Sequence, residues 1–108
     1  MNKLEEKIEL YKAEAKKLGL DLDEKLIEET TKALVPAIYK ADAEIVSCSD
    51  ANELERVRES FLKKKLELKR DDEDLDKLIK EVCQEMGTSN RKKYRALFYS
   101  LLKKKIAS

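Results

Sequence analysis

Three residues supply all the glycine and proline of this 108-residue chain: Gly19, Pro36 and Gly87. A β-sandwich needs turn residues every few strands, so so few breakers exclude an all-β fold. Charged residues make up 44% of the chain and hydrophobic residues 42%, which also excludes linker-like, collagen-like and Pro-rich chains. No apolar run approaches the roughly 18–20 residues that a membrane span requires. The opening MNKLEEKIELYKAE alternates charge with single apolar residues and does not read as a secretory signal. The expectation is an all-α, cytoplasmic protein. It is a single helical domain over residues 1–108, a compact bundle or orthogonal array of four to six amphipathic helices.

Capping residues and apolar periodicity locate these helices. Asn2 can cap a first helix whose stripe is Leu4, Ile8, Tyr11, Ala15 and Leu18, with Gly19 as a left-handed C′ residue. A second helix follows Asp21 or Asp23 and buries Leu26, Ile27, Thr30, Ala33 and Leu34. Pro36 disfavours helix at Val35, so a break or kink is expected there; Ala37, Ile38 and Ala41 would extend the same face in a kinked helix. Residues 42–50 read as a short helix followed by a loop. Ser49 or Asp50 caps a third helix, Asp50 with Glu53 resembling a capping box, and its face is Leu54, Val57, Phe61 and Leu62. Asp71 or Asp72 caps a fourth, with Leu75, Leu78, Ile79, Val82, Cys83 and Met86 inward and Gly87 as its terminator. Thr88 or Ser89 caps a fifth, with Tyr94, Leu97, Phe98, Leu101, Leu102 and Ile106 on one face. The core is expected to draw on Leu4, Ile8, Tyr11, Leu26, Leu34, Leu54, Phe61, Leu78, Val82, Leu97, Phe98 and Leu101.

Two runs, IYKADAEIVSCSDANELERVRESFLKKKL over residues 38–66 and EVCQEMGTSNRKKYRALFYSLLKK over residues 81–104, carry a resemblance. Together with the first helix they resemble a family of small bacterial proteins catalogued only as a domain of unknown function. The phrases VSCSD and MGTSNRKKYRA are the most specific parts. The resemblance implies an all-helical, bacterial, cytoplasmic protein and brings no activity, cofactor or catalytic residue with it.

The chain contains no histidine, so Ser-His-Asp and Cys-His catalysis are excluded for the chain acting alone, and the usual general base and metal ligand are missing. No GxGxxG or GxxxxGK[ST] phosphate loop is present. The acids Asp71, Asp72, Glu73, Asp74 and Asp76 lack the Gly and terminal Glu of an EF-hand loop and read as the acid-rich start of a helix. The two cysteines, Cys48 and Cys83, form no CxxC; in a charged chain of this kind two free thiols are expected, with Cys83 on an apolar face. Cys48 precedes a helix N-terminus, where a thiol can become reactive. No enzyme activity, metal or cofactor is expected.

Charge is unevenly distributed. Residues 1–50 carry −4, residues 51–108 carry +5, and from Gly87 onward there are seven basic residues and no acid. On the fifth helix, Lys92, Arg95, Tyr99 and Lys103 fall within about 80° of one another. With Arg91 they form a candidate binding face, flanked by Lys93, Lys104 and Lys105. A solvated face, neutralised in part by acids from other helices, is the competing reading. A Gly87 turn between two helices resembles a helix-turn-helix, but Lys93 stands where an apolar contact belongs. Three functions follow from these residues. The first is a small interaction module docking an acidic protein surface through this helix. The second is sequence-tolerant nucleic-acid binding by the same face, with Tyr99 stacking on bases. The third is a thiol activity at Cys48.

Overall fold

The computed structural model describes residues 2–107; Met1 and Ser108 of the expected domain lie outside them. The chain runs α1 (Lys3–Lys17), α2 (Glu24–Ala33), a 3-10 turn (Ala37–Tyr39), α3 (Ala41–Glu44), α4 (Ala51–Arg56) continuing as a π-helix (Val57–Lys65), α5 (Asp72–Glu85) and α6 (Arg95–Ala107). The fold is all-α. The β pairing among the described residues is one isolated antiparallel bridge, Ile45 with Tyr94. The radius of gyration is 13.0 Å, as expected for a compact chain of about 100 residues.

Local chemistry sets most helix ends where the sequence places them. The Glu5 backbone N–H donates to Asn2 Oδ1 at 2.9 Å, and that of Asp74 to Asp71 Oδ1 at 2.9 Å. Asp50 Oδ1 accepts from the Asn52 N–H at 3.0 Å and from the Glu53 N–H at 3.4 Å, half of the expected capping box; the Glu53 carboxylate goes to Arg56 and Arg95 and does not return to the Asp50 N–H. Gly19 sits at φ +69°, and the Leu20 N–H reaches back to the Ala15 carbonyl at 2.9 Å while the Gly19 N–H reaches Lys16 at 3.1 Å. That pairing satisfies carbonyls left open by the last turn. α2 stops at Ala33, and Pro36 with a cis Val35–Pro36 bond leads into the 3-10 turn, so the break prevails over a kinked helix.

Two elements depart from the expectation. The third helix changes register at Val57, and its i→i+5 ladder ends with the Leu66 N–H on the Phe61 carbonyl at 2.9 Å. The wider turn brings Val57, Phe61 and Leu62 inward together. The last helix begins at Arg95 and not at Thr88 or Ser89. Asn90 is the cause. Its Nδ2 donates to the Met86 carbonyl at 3.0 Å and its Oδ1 accepts from the Lys92 N–H at 2.9 Å, so its side chain competes with a helical ladder.

α6 is the central helix. Every residue from Ala96 to Leu102 is buried, and α1, α2, α3 and α5 all pack on it. The sequence reading assigned it one solvent face, but a helix apolar on nearly every side is one enclosed by its neighbours. Ser100 is accommodated because its hydroxyl donates to the Ala96 carbonyl at 2.7 Å. Of the expected core, Ile8, Tyr11, Phe61, Val82, Leu97, Phe98 and Leu101 are buried. Leu4, Leu26, Leu34, Leu54 and Leu78 are half-buried at the edges of their stripes, while Ile27, Ile38, Leu62, Leu75, Ile79 and Leu102 occupy the centre. No helix among the described residues is long and apolar enough to cross a membrane.

Candidate functional site

The candidate face on the last helix is taken apart by the fold. Arg95 and Tyr99, expected at the surface, are inside. The Arg95 guanidinium pairs with the Glu53 carboxylate, donates from Nε to the Ala43 carbonyl at 2.6 Å and from Nη1 to the Tyr99 hydroxyl at 2.9 Å. The Tyr99 ring stacks on Phe61 with centroids 3.7 Å apart and 12° between planes. Burial holds the Tyr99 hydroxyl above its ordinary pKa, against the opposing pull of Arg95. Tyr99 is therefore not available to stack on a base. Lys103 reaches across to α2 and donates to Thr30 Oγ1 at 3.2 Å. Lys104 pairs with Asp21 at 2.8 Å, and Lys105 with Glu81 at 3.4 Å and with Glu85. With α6 enclosed, it also cannot act as the recognition helix of a helix-turn-helix.

Arg91 and Lys92 are exposed, and they stand on the connection before α6 rather than on the helix. That connection meets the segment around Cys48. The Val46 N–H donates to the Lys93 carbonyl at 2.9 Å, next to the Ile45–Tyr94 bridge. Cys48 is joined to Cys83 by a disulfide, which overturns the expectation of two free thiols and the thiol activity at Cys48. The reason is tertiary. Cys83 lies on the inward face of α5, and the Ile45–Tyr94 pairing carries Cys48 to within a Cα–Cα distance of 6.1 Å, inside the range that a disulfide can bridge.

The two sequence phrases VSCSD and MGTSNRKKYRA thus face each other across one cleft of about 620 Å³. Ser47, Ser49, Thr88 and Ser89 contribute hydroxyls, Arg91 and Lys93 contribute positive charge, and no carboxylate among the described residues lines it. Lys93 is 5% exposed, its ammonium donates to the Asn90 carbonyl, and burial lowers its pKa. Hydroxyl donors and cations without a carboxylate suit an anionic group. Cys48 also lines the cleft, with its sulfur held in the disulfide. Among the described residues no group of three or more Cys, Asp or Glu is placed to hold a metal ion. The acidic run at 71–76 instead begins α5, where Asp72 and Asp76 are engaged by Lys63 and Arg58.

Sequence reasoning reached Arg91 and Lys92 for the wrong geometry, and it missed Ser47, Ser49 and Lys93 as neighbours of one cleft. Their signal was the textual distinctiveness of the two phrases, which by itself does not say that they touch. A family described as "Protein of unknown function (DUF2853)" matches residues 10–108, so the chain belongs to that family. No curated protein matches the chain.

Proposed function

We propose that this member of the DUF2853 family is a non-enzymatic interaction module that docks an acidic protein surface with the basic edge formed by Arg91 and Lys92. One observation carries the reading. Of the seven basic residues after Gly87, Lys93, Arg95, Lys103, Lys104 and Lys105 each hold a carboxylate, hydroxyl or carbonyl partner, whereas Arg91 and Lys92 have none for their side-chain charges among the described residues. Charges without internal partners can meet an acidic surface without breaking an existing pair. They steer association and set specificity. The neighbouring carboxylate-free cleft extends the same positive field. A nucleic-acid partner is the weaker reading, since the stacking ring it relied on is buried under Phe61.

Fluorescence anisotropy with a labelled polyglutamate peptide tests the proposal. Binding that weakens with salt and is lost in Arg91→Glu/Lys92→Glu supports it. A charge-reversed protein that binds as the parent does, or a parent that does not bind at low salt, overturns it. An oligonucleotide of equal charge that binds more tightly than the peptide transfers the edge to nucleic acid. A cytoplasmic setting belongs to the same reading and rests on the charged surface. There the Cys48–Cys83 bond would meet reducing thiols, and alkylation trapping in living cells reads which state prevails.

A further inference from the structure

A second cavity lies on another face, between α2, the π-helix and α6, with a volume of about 190 Å³. Its inner surface is the stacked pair Phe61 and Tyr99 with Thr30, and Leu34 and Leu66 line its sides. Ligand cavities take this form: mostly apolar, with few polar groups that fix orientation. Its charged lining groups are both positive, Lys65 from the π-helix and Lys103 from α6. The Lys103 ammonium donates to Thr30 Oγ1 and pairs with no carboxylate among the described residues, unlike Lys104 and Lys105, the next two residues. Lys65 has no ion-pair partner among the described residues.

A half-enclosed ammonium without a counter-charge is an unfavourable arrangement. Burial pulls the Lys103 pKa down and the Lys65 charge adds to that; Glu29 of α2 acts in the opposite direction without closing an ion pair. An anion at this position would offset the cost, and the apolar walls select an anion with an apolar body. The volume of about 190 Å³ suits a body the size of a single ring or a short chain.

We propose that this cavity binds a small monocarboxylate with an aromatic or short aliphatic body. The carboxylate lies between the Lys103 and Lys65 ammonium groups, and the body lies against Leu34, Leu66 and the Phe61–Tyr99 stack. The site is independent of the Arg91–Lys92 edge and carries its own test.

Two-dimensional NMR titration of the full chain uses benzoate and hexanoate, with benzamide as the neutral control. The expected result is saturable shifts at Thr30, Leu34 and Leu66 and in the Phe61 and Tyr99 rings. Benzamide and the variant Lys103→Met should bind at least about tenfold more weakly, the loss of one charge-assisted hydrogen bond. Lys103→Arg should keep most of the affinity, and Lys65→Met, at an exposed position, reports on the second ammonium should Lys103→Met fold poorly. Arg91→Glu/Lys92→Glu should bind benzoate as the parent does. Benzamide binding equal to benzoate, shifts scattered away from this cavity, neither acid giving saturation, or both methionine variants binding as the parent would each overturn the proposal.

Discussion

Arg95 on the first turn of α6 pairs with Glu53 on α4, and the two side chains are only 13% and 11% exposed. The pair ties the central helix to the element that continues into the π-helix. Arg56 reaches the other Glu53 oxygen at 2.8 Å, so the carboxylate is held from two sides. Removing Arg95 leaves Glu53 half-compensated, and breaking a buried pair costs roughly 3–5 kcal/mol. Arg95→Ala should therefore lower stability by about 3 kcal/mol in urea denaturation, near the low end because Arg56 persists. Glu53→Leu/Arg95→Met should recover part of that loss. An unchanged midpoint for Arg95→Ala would return the guanidinium to the solvent face that periodicity assigned it.

Reduction should destabilise the protein. The disulfide closes a sequence separation of 35 residues, for which the chain-entropy relation gives about 3–4 kcal/mol. Thermal and urea unfolding with and without dithiothreitol should differ by about that amount, and Cys48→Ser should behave like the reduced protein. Identical transitions in both states would mean that the Ile45–Tyr94 bridge alone fixes this segment.

Phe98 is fully buried on α6, and Phe61 stacks on Tyr99. Phe98→Ala should cost roughly 3–5 kcal/mol. Phe61→Ala should fall in the lower part of that range, because the cavity beside it lets the site relax. Equal denaturation midpoints for Phe98→Ala and the parent would remove α6 from the centre of the core.

Glu67 follows the π-helix at φ +55° with its side chain exposed. A left-handed conformation costs a non-glycine residue roughly 1–2 kcal/mol, partly offset by the backbone entropy a glycine would lose. Glu67→Gly should raise stability by about 0.5–1 kcal/mol. A clear destabilisation would show that the Glu67 side chain supports the connection to α5.

Tyr11, Tyr94 and Tyr99 all have hydroxyl pKa values above the usual 10.0, chiefly because burial disfavours the phenolate; Tyr11 also donates to Glu44 Oε2 at 2.6 Å. Folded values above unfolded ones mean that this contribution is complete below pH 10.0 and is lost as pH rises beyond it. Ultraviolet titration should show these three rings ionising only with alkaline unfolding, and Tyr11→Phe should move that unfolding to higher pH. Reversible ionisation of Tyr11, Tyr94 and Tyr99 near pH 10.0 in a folded protein would contradict these raised values.

Interactions between near neighbours were legible in the residues alone. Asn2, Asp50 and Asp71 cap helices because a short polar side chain meets an N–H two or three positions on, and Gly19 ends α1 because it tolerates positive φ. The helical class follows from the same local rules and from three breakers in 108 residues. Relationships across long separations were not legible. Periodicity says which residues share a face but not which face meets another helix. Arg95 and Tyr99 thus looked like a surface stripe until α4 and the π-helix closed over them. Asn90 delayed the last helix through side-chain bonds that compete with a helical ladder. Cys48 and Cys83, 35 positions apart, were brought together only when Ile45 paired with Tyr94. Capping and periodicity act over a turn or two, and the local sequence determines them; burial, ion pairing and crosslinking depend on which surfaces the chain brings into contact, and only the packed tertiary structure decides that.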